Sequence, residues 1–366
     1  MATTRRVGII GRTGKGNYGH GIDTVWKQIP AVEVVALADE NEAGRLKAQE
    51  ITGAKTVYAD YRDMLAKEQL DIVGIGPRWI DQHRDMILAS AEHGCHIYME
   101  KPFCRTPAEA DEIVRACEMR HIRLTLAHQT HYAPTLYVIK DLIAQGEIGE
   151  VLELRGRGKE DARGGAEDTW VLGSHVLDLM RFFGGDPLDC FGTAFANGKP
   201  ITKDNVQPGN EGIGPLAGDQ IQARYTFPNG IAGFFASRRG MAGSPSRFGL
   251  QIFGSKGMIE LFTGYPGQAF LLKDSSWSPG RTKSQWTPIT SNGIGQPETV
   301  SGGLDAGNVA AVTDLLRAID DQREPLCGPT EGRWIVEMIS GIFESHRVGK
   351  PVTFPLEQRE NALALL

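Results

Sequence analysis

Short apolar runs alternate with longer amphipathic stretches through the first third of the chain. Arg6 to Gly11, Val32 to Asp39, Leu70 to Gly76, Cys95 to Met99 and Arg123 to Ala127 are brief, continuous and rich in Val, Ile and Leu. Runs of that length and composition predict buried strands. Between them, Gly21 to Ile29, Asn41 to Ile51, Tyr61 to Glu68, Asp81 to Glu92 and Pro107 to Met119 are spaced as helices. Asn41 and Thr106 stand where N-caps belong, Glu42 lies where it favours the dipole, and Gly94 closes its helix as a C′ glycine. The repeated βα unit implies a doubly wound parallel sheet.

The second half has a different rhythm. Glu150 to Gly158, Gln220 to Phe227, Ile231 to Arg238, Phe248 to Phe253 and Met258 to Phe262 read as strands. Asn229-Gly230 makes one tight turn, and Ser255-Lys256-Gly257 closes a second hairpin. This predicts an antiparallel meander, so the boundary between domains is placed at 127/128, giving 1–127 and 128–366. Val176 to Phe183, Val309 to Asp320 and Thr330 to His346 are predicted helices. The Gly/Ser/Pro-rich stretch 264–303 is expected to form long loops.

Composition mostly excludes. The 366 residues exceed what one hydrophobic core usually serves, in agreement with two domains. Hydrophobic residues at 41% and charged residues at 23% describe an ordinary soluble globular protein. A formal net charge of −6 argues against nucleic acid or an anionic membrane as partner. No apolar stretch reaches the ~18–20 residues needed to span a bilayer, and Met1 to Arg6 lacks a signal-peptide apolar core. Five scattered cysteines without CxxC spacing suit reduced thiols in a cytoplasmic enzyme and give no metal signal. Cys104, just past Lys101, reads as a packed small residue.

The candidate chemistry lies at strand ends. Gly11-Arg12-Thr13-Gly14-Lys15-Gly16-Asn17-Tyr18-Gly19 follows the first strand, and Gly14-x-Gly16-x-x-Gly19 fits GxGxxG. Such glycines let backbone amides approach a pyrophosphate at the next helix N-terminus, although the register from Gly11 is imperfect. Asp39 ends the second strand, where an acid bonds the adenosine ribose hydroxyls and favours NAD over NADP. Glu100-Lys101-Pro102 follows the strand ending at Met99, so Lys101 would project into the ligand crevice. A buried lysine there can exchange protons with a substrate hydroxyl near neutral pH.

The order of these parts resembles the glucose–fructose oxidoreductase/inositol dehydrogenase (Gfo/Idh/MocA) family. The glycine loop, Asp39, Gly76-Pro77, Glu100-Lys101-Pro102, Gly173 to Asp178 and Ser345 to Val352 occur in the family's order over nearly the whole chain. The resemblance implies a Rossmann domain followed by an α/β domain with a large, mostly antiparallel open sheet. It further implies a nicotinamide cofactor, NAD rather than NADP, held by Gly11, Thr13, Gly14, Gly16, Asn17, Tyr18, Gly19, Asp39, Pro77, Trp79, His83, Glu100 and Lys101. Lys101 and His175 are the implied catalytic pair. Substrate contacts are expected from Lys101, Gln129, His131, Lys159, Asp161, Asp168, Trp170 and His175. A homodimer or homotetramer built through the second sheet is implied as well.

Two departures from the family stand out. The family places an aspartate four residues before the histidine, and this chain has Val171 there. The segment from Pro77 to His83 is two residues longer than usual. The carboxylate-rich run from Gly158 to Asp168 either binds sugar hydroxyls or is a solvated loop. Trp79 and Trp170 either offer flat faces to a sugar ring or pack in the core. Either Asp168 or a carboxylate in 160–167 takes the place of the missing aspartate, or His175 works nearly alone with Lys101; with bulky Trp170 intervening the second is preferred, and Asp168→Asn is then expected to behave like a surface substitution. Three functions fit: an NAD-dependent dehydrogenase of a secondary hydroxyl on a sugar, glycoside or cyclitol, with pyranoside C3 preferred by analogy; an NAD-dependent glycosidase acting through transient oxidation; or a non-catalytic NAD sensor.

Overall fold

The computed structural model describes residues 4–30 and 32–366; Met1, Ala2 and Thr3, on which the expectation about a signal peptide partly falls, and Ala31 lie outside the described residues. The chain forms two compact units. In the first, β1 (Arg5–Ile10), β2 (Val32–Ala38), β3 (Thr56–Tyr58), β4 (Ile72–Ile75), β5 (His96–Met99) and β6 (Leu124–Leu126) form a parallel sheet in the order β3-β2-β1-β4-β5-β6. The connecting helices are α1 (Glu42–Thr52), α2 (Tyr61–Lys67), α3 (His83–Glu92) and α4 (Pro107–Arg120). Both predicted caps form: the Asn41 side chain accepts from the Gly44 amide at 2.8 Å and Thr106 from the Glu109 amide at 3.2 Å. Strand order reverses between β1 and β4, and open α/β sheets bind ligands at such a switch point, beyond the carboxyl ends of their strands.

The helix predicted from Gly21 to Ile29 is absent, and only a 3₁₀ turn, Val25–Gln28, forms there. Gly14, Gly16, Gly19 and Gly21 all hold left-handed φ values, so the loop keeps winding to Gly21. The residues left before Pro30 include β-branched Ile22, Thr24 and Val25 and are too few to nucleate an α-helix well. Glycine here consumes the chain that a helix would need.

The first unit also recruits chain from far away. It comprises Met1–Gln129, Glu211–Ile213 and Leu304–Arg333, return segments that the sequence boundary at 127/128 does not name. The helix Leu304–Asp320 carries Asn308, which is fully buried. Its Oδ1 accepts from the Tyr98 hydroxyl at 2.8 Å and from Gln129 Nε2 at 2.9 Å, while its Nδ2 donates to the His20 carbonyl at 2.7 Å. One amide thus ties β5, the β6 exit and the glycine loop to the returning helix.

In the second unit, α5 (Pro134–Ala144) precedes β7 (Val151–Arg157), α6 (Ala166–Val171), α7 (Gly173–Gly184) and β8 (Asp189–Ala196). Among the described residues the sheet has 11 strands, and only the pairing of β7 with Ala232–Arg238 is parallel. The hairpin Gln220–Thr226/Ala232–Arg238 turns at Asn229 and Gly230, both left-handed, as an Asn-Gly turn requires. The stretch 264–303 is more ordered than expected: Ala269–Leu272, Thr287–Thr290 and Gly293–Ile294 extend the sheet at one edge. Such short edge strands carry too few residues for a period-2 pattern to show.

Asn308→Ala strands a fully buried tyrosine hydroxyl and the Gln129 amide. It is expected to lower stability by about 1–3 kcal/mol in urea unfolding, with an unchanged m-value.

Candidate functional site

The turn after β5 is built around a buried carboxylate. Glu100 Oε2 accepts from the Lys101 amide at 2.7 Å, and Oε1 accepts from the His20 amide at 2.9 Å and meets the His20 ring. Burial pushes the Glu100 carboxyl up, but the His20 hydrogen bond and the Lys101 charge overcome it and hold the group below its ordinary value. Glu100 therefore stays ionised and clamps the glycine loop to the lysine's own backbone. Lys101 itself is only 6% exposed.

His83 completes this support. Its Nδ1 lies 2.7 Å from the Pro102 carbonyl and its Nε2 2.7 Å from the Pro77 carbonyl, and the ring is fully buried. His83, expected among the cofactor contacts, thus joins the turns after β4 and β5. Glu100, expected there too, joins His20 to Lys101. Pro77 is buried, while Trp79 and Arg78 are half-buried beside it.

The glycine loop is folded back on itself. The Arg12 and Asn17 amides and carbonyls pair at 3.0 Å, and the Asn17 side chain accepts from the Gly14 amide at 3.0 Å. Gly16 and Gly19 are packing glycines: a Cβ on the first would lie 2.3 Å from the Arg78 nitrogen, and on the second 2.4 Å from the Gly76 carbonyl. Tyr18 lays its ring on Gly11, with its buried hydroxyl near Asp39; burial first, then Asp39, raise the phenol's pKa. The open phosphate cradle expected of GxGxxG is thus largely replaced by a self-bonded loop. The adenosine side fits a dinucleotide better. A cavity of about 230 Å³ opens at the ends of β1, β2 and β3, lined by Gly11, Arg12, Asp39, Glu40, Asp60 and Gln82. Asp39 within it is buried, and the Arg12 guanidinium is held by Asp81 at 2.8 Å.

In the second unit, His175 occupies the first turn of α7, half-buried, with its ring edge-on to Phe248 at 6.3 Å. His131 Nδ1 meets Asp178 Oδ2 at 2.8 Å, both buried. Asp178 lies one helical turn beyond His175, on the same face. Sequence reasoning named His131 but not its partner Asp178, because the two lie 47 residues apart and no local spacing links them. Lys159 and Asp161 keep some exposure, with Asp161 paired to Arg163 at 2.6 Å. That arginine's hydrogen bond leads the causes holding the Asp161 carboxyl below its usual value. Trp170 is buried in the core.

Asp168 is the clearest correction. It lies in α6, not in a loop, and is 0% exposed. Its Oδ2 accepts from the Ser237 hydroxyl at 2.5 Å and the Glu160 amide at 3.1 Å. Glu160, also buried, accepts from the Arg238 amide at 2.9 Å and from Arg247 at 3.1 Å. The carboxylates read as sugar contacts or solvated charges instead pin 158–168 to the sheet strand Ala232–Arg238. A short run with glycines at 164 and 165 hides a six-residue helix whose first amide, that of Ala166, donates to the distant Gly218 carbonyl at 3.1 Å.

Burial raises the Asp168 carboxyl above its ordinary value, so the folded state holds that proton more tightly than the unfolded one. This group's contribution to stability therefore rises as pH falls through the raised value. Asp168→Asn is expected to cost about 1–3 kcal/mol and to flatten that part of the stability–pH curve, measured by urea unfolding at several pH values.

Comparison with known proteins gives a consistent result. Residues 5–128 match the description "Oxidoreductase family, NAD-binding Rossmann fold", and residues 137–260 match the "GFO/IDH/MocA C-terminal domain". A D-apiose dehydrogenase of Paraburkholderia graminis is 30% identical over 44% of this chain and 45% of its own length. A levoglucosan dehydrogenase of Pseudarthrobacter phenanthrenivorans is 25% identical over 63% of this chain and 65% of its own. A myo-inositol 2-dehydrogenase of Thermotoga maritima is 24% identical, covering 69% and 74%. The first two alignments therefore span less than two thirds of the relatives they match. The solved levoglucosan dehydrogenase complex with NADH and levoglucosan superposes with a TM-score of 0.75 at 19% identity, covering 96% of this chain and 99% of that one. Among the described residues no helix is long and apolar enough to cross a membrane.

Proposed function

From a chain that belongs to the Gfo/Idh/MocA oxidoreductase family, we propose an NAD-dependent dehydrogenase acting on a secondary hydroxyl of a sugar, glycoside or cyclitol. The observation that carries the reading is Lys101, buried beyond the carboxyl end of β5 and fixed by Glu100 on its amide. The names of the sugar and cyclitol dehydrogenases among its relatives support the substrate class.

When bound, the nicotinamide supplies the hydride acceptor. Lys101 Nζ takes the substrate hydroxyl proton; the lysine's low exposure favours the neutral amine that this needs. The Glu100 carboxylate opposes that effect, since a neighbouring anion favours the ammonium form. His175 is assigned the second role in proton handling. The buried pair His131–Asp178 stiffens the first half of α7 that carries it. Pyranoside C3 is the preferred position by family analogy alone. The glycosidase alternative needs a further acid or base from 160–168, and Glu160 and Asp168 are both committed within the fold. A cytoplasmic homo-oligomer is part of the same proposal.

Incubation with NAD and a panel of sugars, glycosides and inositols, followed at 340 nm and by aglycone release, tests the reading. Net NADH is the expected result; aglycone release without NADH supports the glycosidase, and neither signal supports the sensor. Lys101→Ala is expected to lower turnover by on the order of 10²–10⁴ while calorimetry still detects NAD binding. Lys101→Arg should not restore activity, since a guanidinium does not give up its proton near neutral pH.

A further inference from the structure

The acid that a dinucleotide site places on the adenosine ribose is already occupied in this protein. Asp39 Oδ1 accepts from the Asn41 amide at 3.0 Å, and Oδ2 accepts from the Thr13 amide at 3.0 Å and the Thr13 hydroxyl at 2.7 Å. The Tyr18 phenol is buried alongside, and Asp39 is 1% exposed. A carboxylate offers about four lone-pair sites, and three of these already hold protein donors. Releasing them would free Thr13, whose side chain is wedged against α1: a Cβ on Gly44 would lie 1.9 Å from its hydroxyl. Asp39 is an anchor that joins the glycine loop to the β2–α1 junction.

The next residue is in the opposite condition. Glu40 is exposed, lines the same cavity, and its side chain makes no hydrogen bond or ion pair among the described residues. The two arginines of that cavity are committed elsewhere, Arg12 to Asp81 at 2.8 Å and Arg62 over the Tyr61 ring at 4.5 Å. We propose that Glu40, not Asp39, selects NAD over NADP, by accepting from the ribose hydroxyls and repelling a 2′-phosphate. The inference rests on the NAD-binding reading above and assigns the selectivity to one residue. A carboxylate facing a phosphate at close range is a repulsive element of the kind that sets specificity.

The test is calorimetric titration of the full chain with NAD and with NADP, for the wild type, Glu40→Gln and Asp39→Asn, with circular dichroism on each. Glu40→Gln is expected to keep its fold and narrow the NAD/NADP affinity ratio by on the order of tenfold. Asp39→Asn is expected to weaken both nucleotides alike and to lower Tm, leaving the ratio near the wild-type value. If Asp39→Asn fails to fold, the Glu40→Gln ratio alone decides. A Glu40→Gln ratio within about twofold of wild type overturns the proposal while leaving NAD binding itself intact. A wild type that binds neither nucleotide overturns the cofactor reading, and this inference with it.

Discussion

One buried carboxylate sets the geometry of the first unit. Glu100 holds the Lys101 amide on one oxygen and the His20 amide and ring on the other. An ionised group at 1% exposure is costly unless it is fully paired, and here each oxygen has its donor. The arrangement makes three distant parts interdependent: the lysine turn, the glycine loop and, through Asn308 on the His20 carbonyl, the returning helix. His83 adds a second tie by bridging the turns after β4 and β5. Lys101 is thereby placed by groups that do no chemistry themselves.

The same economy explains why the glycine loop looks unlike its motif. Glycines at 16 and 19 permit backbone contact with the β4 turn, and Tyr18 covers Gly11. The loop is braced by Glu100 at His20 and by Asp39, whose carboxylate holds Thr13. A loop satisfied by its own amides is preformed, so little ordering remains to be lost when a ligand arrives. The cost is that Asp39 no longer presents a free carboxylate.

Much of this was legible in the sequence where local chemistry decides. The parallel sheet, the caps at Asn41 and Thr106, the Asn229-Gly230 turn and the lysine at a strand end follow from patterns within a few residues of each other. What failed depends on partners far away in the chain. Asp168 and Glu160 are buried by Ser237, Arg238 and Arg247, and no local pattern announces a carboxylate that serves a distant strand. His83 sits beside a ligand-binding turn, and its ring nitrogens lie against two carbonyls, one of them at Pro102, 19 residues away in the chain. The missing helix after β1 has a local cause instead: the glycine loop winds on to Gly21 and leaves too few residues before Pro30.

The account stands on Glu100 fixing and charging the environment of Lys101. The most direct measurement is the pH dependence of NADH formation by Glu100→Gln against wild type, on whichever polyol the wild type oxidises. Replacing the anion with a neutral amide removes a charge that favours the ammonium form, so the limb belonging to Lys101 should move to lower pH. Turnover should fall by at least on the order of tenfold with the fold intact. A Glu100→Gln enzyme with a wild-type profile and wild-type turnover would contradict the account.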